Sequence, residues 1–153
     1  MVKILNRAGK TALLLTFLVP LIGFSQVCHR KINQYDEQFN RHGIWITWQD
    51  EEKHIPYCKS WYKHGKEYRV TRYYHENGRT RLKFHFRGDS LIKVKYFDIQ
   101  GHLTDKGRAL RLVTDTEYRY CWDGKWKHYD EHRKLERTSF YRRGEELISD
   151  HPQ

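Results

Sequence analysis

Glycines that follow aromatic residues at a fixed distance are the feature that most constrains the fold of this chain. After residue 25 the sequence has eight glycines, and in seven cases the residue four positions earlier is aromatic. The seven pairs are Phe39 with Gly43, Trp61 with Gly65, Tyr74 with Gly78, Phe84 with Gly88, Phe97 with Gly101, Tyr120 with Gly124, and Phe140 with Gly144. Leu103 precedes the eighth glycine, Gly107.

The spacing of these glycines indicates strands rather than helices. Gly65 to Gly88, Gly78 to Gly101 and Gly101 to Gly124 are each 23 residues apart, a period that fits two strands and two turns. An aromatic side chain on a strand covers one sheet face, and glycine accepts the positive φ that short hairpin loops require. The pattern therefore predicts an all-β fold, an open twisted antiparallel meander of successive β-hairpins with ten to twelve short strands.

One hairpin can be predicted with its register. Apolar and basic residues alternate from Thr80 to Phe97, so a single register places a whole apolar face together. That register pairs Phe86 with Ile92, Phe84 with Val94, and Leu82 with Tyr96. The connecting residues Arg87-Gly88-Asp89-Ser90 contain the letters of an adhesion signal and of a serine-hydrolase signature. Their position between two short strands predicts a turn instead, with neither role.

The first 25 residues predict an exported protein. Lys3, Arg7 and Lys10 precede an uncharged run from Thr11 to Phe24, and Gly23 and Ser25 stand at the −3 and −1 positions of a cleavage site. This is the three-part pattern of a secretory signal peptide, with an uncleaved N-terminal anchor as the alternative. The predicted organisation is a signal peptide at 1–25, a polar lead-in at 26–38, a repeat domain at 39–148 and a tail at 149–153. The expected location is the periplasm, the cell envelope or the exterior.

The net charge indicates which classes of partner are favoured, and the cysteine content indicates whether a disulfide can form. After cleavage the chain would carry 26 Lys and Arg against 19 Asp and Glu, a net charge of about +7. Such a charge favours anionic lipid, acidic glycan or an acidic protein, and export makes nucleic acid the least favoured partner. An oxidising compartment permits a disulfide among Cys28, Cys58 and Cys121. The Cys58–Cys121 pairing is preferred, and the other pairings stay open.

Several stretches resemble a known repeat family. Residues 43–48 read GIWITW, and residues 124–145 read GKWKHYDEHRKLERTSFYRRGE, which is Gly-x-Trp-x-x-Tyr, a polar turn, then aromatics and Gly. This resembles the MORN repeat in its bacterial antitoxin-like variant, over roughly Phe39 to Ile148. The resemblance implies an elongated sheet of hairpins and a binding or scaffolding role, with phospholipid binding or toxin neutralisation in some members and no catalytic residues. Residues 104–119 lack the expected aromatics, which predicts an irregular or inserted unit there.

Sites for metals, cofactors and catalysis are not predicted. His54 and Cys58 are four residues apart, as are His128 and His132, but both pairs lie in strand-and-turn sequence where this spacing does not bring ligands together. The candidate carboxylates lie in turn-like sequence on a sheet that offers no cleft.

The basic side of the predicted hairpin is the leading candidate site. Arg81, Lys83, Lys93 and Lys95 are expected on the face opposite the apolar residues, with Arg69 extending it. The interpretation is thus an exported, non-enzymatic binding or scaffold protein of the cell envelope, for which a protein partner is favoured. An antitoxin or immunity-type protein and a module for anionic lipid or glycan are the alternatives, and the oligomeric state stays open.

Overall fold

The chain forms strands connected by turns. The structure is a computed structural model that describes residues 31–113 and 118–150. The predicted signal peptide, Cys28 and residues 151–153 lie outside the described residues. The strands are β1 (Gln34–Tyr35), β2 (Arg41–Trp48), β3 (Pro56–Lys63), β4 (Lys66–Glu67), β5 (Val70–Tyr74), β6 (Thr80–Arg87), β7 (Leu91–Phe97), β8 (Leu103–Val113), β9 (Tyr118–Tyr129), β10 (Leu135–Arg142) and β11 (Glu145–Asp150).

The eleven strands make one open antiparallel sheet, which confirms the predicted fold class. Strands neighbour one another in chain order, except that β3 pairs with both the short β4 and the longer β5. Strand β1 lies within the expected polar lead-in and pairs with β2, and β11 extends to Asp150, so the sheet begins before residue 39 and ends after residue 148.

The β6–β7 hairpin has the predicted register. Phe86 pairs with Ile92, Phe84 with Val94, and Leu82 with Tyr96. Residues 88–90 form the turn, and Gly88 has a φ of +75° in it. Arg87 ends β6 and is exposed together with the turn residues, so the adhesion-like and hydrolase-like letters belong to a hairpin connection.

The prediction that these glycines lie in turns is correct for five of the eight. Gly65, Gly78, Gly88, Gly101 and Gly144 lie between strands, but Gly43, Gly107 and Gly124 lie inside β2, β8 and β9. The aromatics that precede the glycines do not share one face. Phe84 is in the core, whereas Phe39 is 87% exposed in a turn at φ +58°. Trp61 pairs with the buried Ile44 on the opposite side of the sheet.

Aspartates define several turns that the glycine pattern does not. The side chains of Asp36, Asp50, Asp98 and Asp130 each accept a hydrogen bond from the backbone N–H four residues later, at 2.7–2.9 Å. In these turns a residue three positions after the aspartate adopts positive φ, and it is glycine only at Gly101. A side-chain acceptor at the first position fixes the turn strongly enough for Phe39, Lys53 and Arg133 to take that conformation.

The core lies on one concave face of the sheet. Its buried residues are Phe84, Phe86, Ile92, Val94, Ala109 and Trp126. The ring of Phe84 on β6 lies 5.1 Å from that of Tyr120 on β9, although two strands separate them. The sheet therefore curls around this face, and the opposite face is convex.

The segment expected to be an irregular or inserted unit, 104–119, contains strand β8. Residues 103–113 form this strand, which pairs with β7 and β9 with a register shift in each pairing, while residues 114–117 lie outside the described part. The residues of β8 that face the core are small. Trp126 of β9 lies over Gly107, where an added Cβ would be 2.3 Å from the indole. An aromatic ring from β9 thus packs against the core side of β8, which has no aromatic residue of its own.

Candidate binding face

A row of six cationic residues crosses the convex face from β3 to β9. The register places Lys59 opposite Arg72, Arg72 opposite Lys83, Lys83 opposite Lys95, Lys95 opposite Lys106, and Lys106 opposite Lys127. Neighbouring strands are about 4.8 Å apart, so the six positions span about 24 Å at right angles to the strands. We call these six residues the cation row.

Acidic partners of the cation row are absent from residues 31–113 and 118–150. None of its six members forms an ion pair with a residue that the structure describes. Beside the row, Arg108 lies 3.1 Å from the carboxylate of Asp123 and is compensated. The ammonium of Lys106 lies 5.0 Å from the ring centre of Tyr129, which is the only cation–π contact of a row member within the described residues.

Two basic side chains on this face have a lowered pKa. Partial burial, followed by the nearby charges of Arg72 and Lys95, lowers the pKa of Lys83. Burial and the charges of Arg87, Lys83 and Lys93 likewise lower the pKa of His85, which is next to the row. Both shifts have the sign that burial of a basic group and nearby positive charges produce.

A shallow basic depression lies at the β7–β9 end of the row. Its volume is about 630 Å³, and its lining contains two residues without side chains, Gly107 and Gly124. Around them stand Lys93, Lys95, Lys106, Lys125 and Lys127, together with Arg108 and Phe140. We call this depression the lysine cup. The missing side chains do not enlarge the lysine cup, because the Trp126 indole fills the space at Gly107 and the Arg108 guanidinium fills that at Gly124.

The five predicted basic residues do not form a single site. Lys83 and Lys95 are in the cation row, and Lys93 is in the lysine cup. Arg69 lies at the margin, at φ +62° with its guanidinium 5.2 Å from the Trp61 ring, in a depression that also borders Arg72.

Arg81 does not join the row. It is the extra residue of a β-bulge opposite Tyr73 and Tyr74, and it borders a separate depression with Tyr57 and Ile99. Strict alternation along β6 placed it beside Lys83, and the bulge breaks that alternation.

Most of the row was missed by sequence reasoning. Lys59, Arg72, Lys106 and Lys127 belong to strands whose registers the alternation within one hairpin does not define. The available signal was basic residues alternating with apolar or small ones, as in Lys125-Trp126-Lys127 and Lys106-Gly107-Arg108. This signal does not define the row by itself, because the pairings β5–β6, β7–β8 and β8–β9 each contain a register shift.

The preferred disulfide is not formed. Cys58 and Cys121 are both free thiols. Cys58 pairs with Tyr73 on the concave face, whereas Cys121 alternates with the concave-face residues Tyr120 and Trp122 and so lies on the other side of the sheet. Burial, the larger cause, and the nearby Glu67 carboxylate raise the pKa of the Cys58 thiol, which makes it a poor nucleophile.

A polar cluster on the concave face joins distant strands. The carboxylate of Glu67 accepts hydrogen bonds from Thr71, at 3.0 Å, and from the hydroxyl of Tyr120 on β9. Arg111 on β8 donates to the Glu67 carbonyl oxygen at 2.9 Å. These bonds tie β4 to β8 and β9 and so hold the curl that makes the basic face convex.

Comparison with known proteins does not assign this chain to a family. No protein-family model, curated protein or solved structure matches this chain. Among residues 31–113 and 118–150 there is no helix with the length and apolar character needed to span a membrane.

Proposed function

We propose that this protein is a non-enzymatic binding module whose convex face captures an extended polyanion. The single observation that carries this proposal is the cation row, six cationic positions on six paired strands without an acidic residue among them. The export predicted from the N-terminal sequence makes an anionic glycan of the cell envelope or exterior the favoured ligand class.

The cation row costs free energy in the unbound protein, because its charges repel one another. Two unit charges about 5 Å apart repel by just under 1 kcal/mol in bulk water, and by more near a protein surface. An anion placed between two row members removes that repulsion and adds attraction. The pKa of Lys83 is lowered in the free protein. An anion bound beside Lys83 should therefore raise this pKa towards its ordinary value.

The shape of the site favours a linear ligand over a small one. The row is about 24 Å long and presents one charge at each strand spacing of about 4.8 Å. A chain that bears acidic groups at regular intervals can contact several members at once, whereas a single anion can fill only the lysine cup. The convex surface keeps the row accessible to such a chain.

The test is binding to three defined probes: dextran sulfate, polyglutamate and vesicles that contain anionic lipid. The double variant Lys83→Glu/Lys95→Glu removes two cations from the middle of the row. The variant Lys66→Glu/Lys134→Glu makes the same change of net charge at exposed positions outside it. Circular dichroism verifies that both variants remain folded.

The proposal expects binding to dextran sulfate that weakens steeply between about 0.1 M and 1 M salt, as the screening length falls from about 10 Å to 3 Å. The Lys83→Glu/Lys95→Glu variant should lose most of this binding, and the control variant should keep most of it. Equal losses in both variants would mean that net charge alone acts, which contradicts the proposal. Binding to polyglutamate alone would redirect the assignment to an acidic protein partner, and binding to vesicles alone to a membrane surface.

A further inference from the structure

A second cluster of ligand-type side chains lies at the N-terminal edge of the sheet, apart from the cation row. Asp36 is in the turn between β1 and β2, His42 is on β2, and His64 is in the turn between β3 and β4. One potential ligand atom from each of the three lies within 4.8 Å of the others. The Nδ1 atom of His64 is 3.0 Å from Oδ2 of Asp36, and the two imidazole rings are 5.5 Å apart.

The carboxylate in this cluster is held in place by its own turn. The backbone N–H groups of Gln38 and Asn40 donate to Oδ1 of Asp36 at 3.1 and 2.8 Å. These bonds leave Oδ2 directed at His64, and the Asp36 side chain is only 11% exposed, compared with 63% for His64.

We propose that Asp36, His42 and His64 form a binding site for a divalent transition-metal ion of the Zn²⁺ or Cu²⁺ type. Two imidazole nitrogens and one carboxylate oxygen are a common donor set for these ions. Ligands about 2.1 Å from a tetrahedral ion are about 3.4 Å apart, so the Asp36–His64 pair needs little adjustment and His42 needs a modest side-chain rotation. Three protein ligands leave at least one coordination position open to water or to a further ligand.

The surroundings disfavour Ca²⁺ and Mg²⁺. These ions take mainly oxygen ligands, and this cluster offers one carboxylate. Lys63 and Lys66 are exposed on the hairpin that carries His64, which weakens purely ionic attraction of a cation. The guanidinium of Arg41 contacts a different group, since it lies 4.7 Å from the ring centre of Trp45.

The test is titration of the purified protein with Zn²⁺ by calorimetry, together with its melting temperature with and without Zn²⁺. His42→Ala, His64→Ala and Asp36→Asn each remove one ligand. His54→Ala and His132→Ala are controls, because each is an exposed histidine that pairs with a nearby glutamate, Glu52 at 3.3 Å and Glu131 at 3.5 Å, and belongs to no three-ligand cluster among the described residues.

The expected result is one Zn²⁺ per chain, with a dissociation constant that rises roughly tenfold or more in each ligand variant and little in the controls. Zn²⁺ should also raise the melting temperature, because the ion joins the β1–β2 turn to the β3–β4 turn, and this rise should be lost in His64→Ala. No binding at millimolar Zn²⁺ would overturn the proposal. So would binding whose affinity is unchanged by both His42→Ala and His64→Ala. Binding of dextran sulfate does not enter this test, so the two proposals fail separately.

Discussion

Replacing Gly107 with alanine should destabilise the protein through a single steric contact. A Cβ at this position would lie 2.3 Å from Cδ2 and 2.5 Å from Cε2 of Trp126, where carbon atoms normally stay about 3.5–4.0 Å apart. The backbone of Gly107 is not in the positive-φ region, so alanine brings no conformational strain. The effect therefore isolates the packing of the indole.

The indole has little freedom to move away. Trp126 is 0% exposed, its ring stacks on that of Trp122 at 3.9 Å, and its Nε1–H donates to the carbonyl oxygen of Arg108 at 2.9 Å. Overpacking of a core costs about 1–3 kcal/mol, and loss of the hydrogen bond adds about 0.5–1.5 kcal/mol. Restricting the unfolded chain offsets about 0.4–1 kcal/mol of this. The expected loss of unfolding free energy is about 1–3.5 kcal/mol.

The assay is urea unfolding followed by tryptophan fluorescence, with Gly78→Ala as the control. Gly78 has a φ of +77° and open space around it, so that variant measures backbone strain without a clash, about 1–2 kcal/mol. A double variant with Trp126→Leu should recover part of the loss, because it removes the ring that the new methyl group meets. A Gly107→Ala protein as stable as the wild type would refute the packing of Trp126 over β8.

Two further predictions concern the turns. The N–H groups of His54 and Ile55 donate to Asp50 and hold its pKa below its ordinary value of 3.8, so its contribution to stability is present above that pH and is lost as the pH falls through the folded-state pKa. Urea midpoints measured from pH 7 to pH 3 should show this decline, and Asp50→Asn should flatten it; an equal decline in the variant would contradict the assignment. Phe39→Asn should stabilise the protein by roughly 1 kcal/mol, because asparagine tolerates the positive φ of this exposed position, and a fall in melting temperature would count against it.

The sequence predicted those parts of the fold that depend on neighbouring residues. The β6–β7 hairpin was placed with its register because alternation and the Gly88 turn specify it within 18 residues. Strand β8 was not recognised, since its core side carries Gly107 and Ala109 and its packing partner is an indole on another strand. The bulges were not predicted either, because a one-residue shift such as that at Arg81 cannot be recognised in the alternation of apolar and basic residues.

The candidate site was predicted only at its centre. Lys83 and Lys95 belong to one hairpin, so their proximity follows from local sequence. The remaining row members require the registers of four more strand pairs, and an error of one residue in any of them moves a side chain to the other face. The metal-type cluster was not predicted at all, since its three residues come from segments that only the paired strands bring together.

The most direct test of the central claim is to measure whether the two ends of the cation row act in the same binding event. Lys59→Gln and Lys127→Gln neutralise positions on β3 and β9, about 24 Å apart along the row. With long dextran sulfate, each variant should weaken binding and lower the slope of log affinity against log salt by up to about one. A short sulfated oligosaccharide that fits the lysine cup should respond to Lys127→Gln and not to Lys59→Gln. Long-chain binding that is indifferent to Lys59→Gln would contradict the account of a continuous binding row.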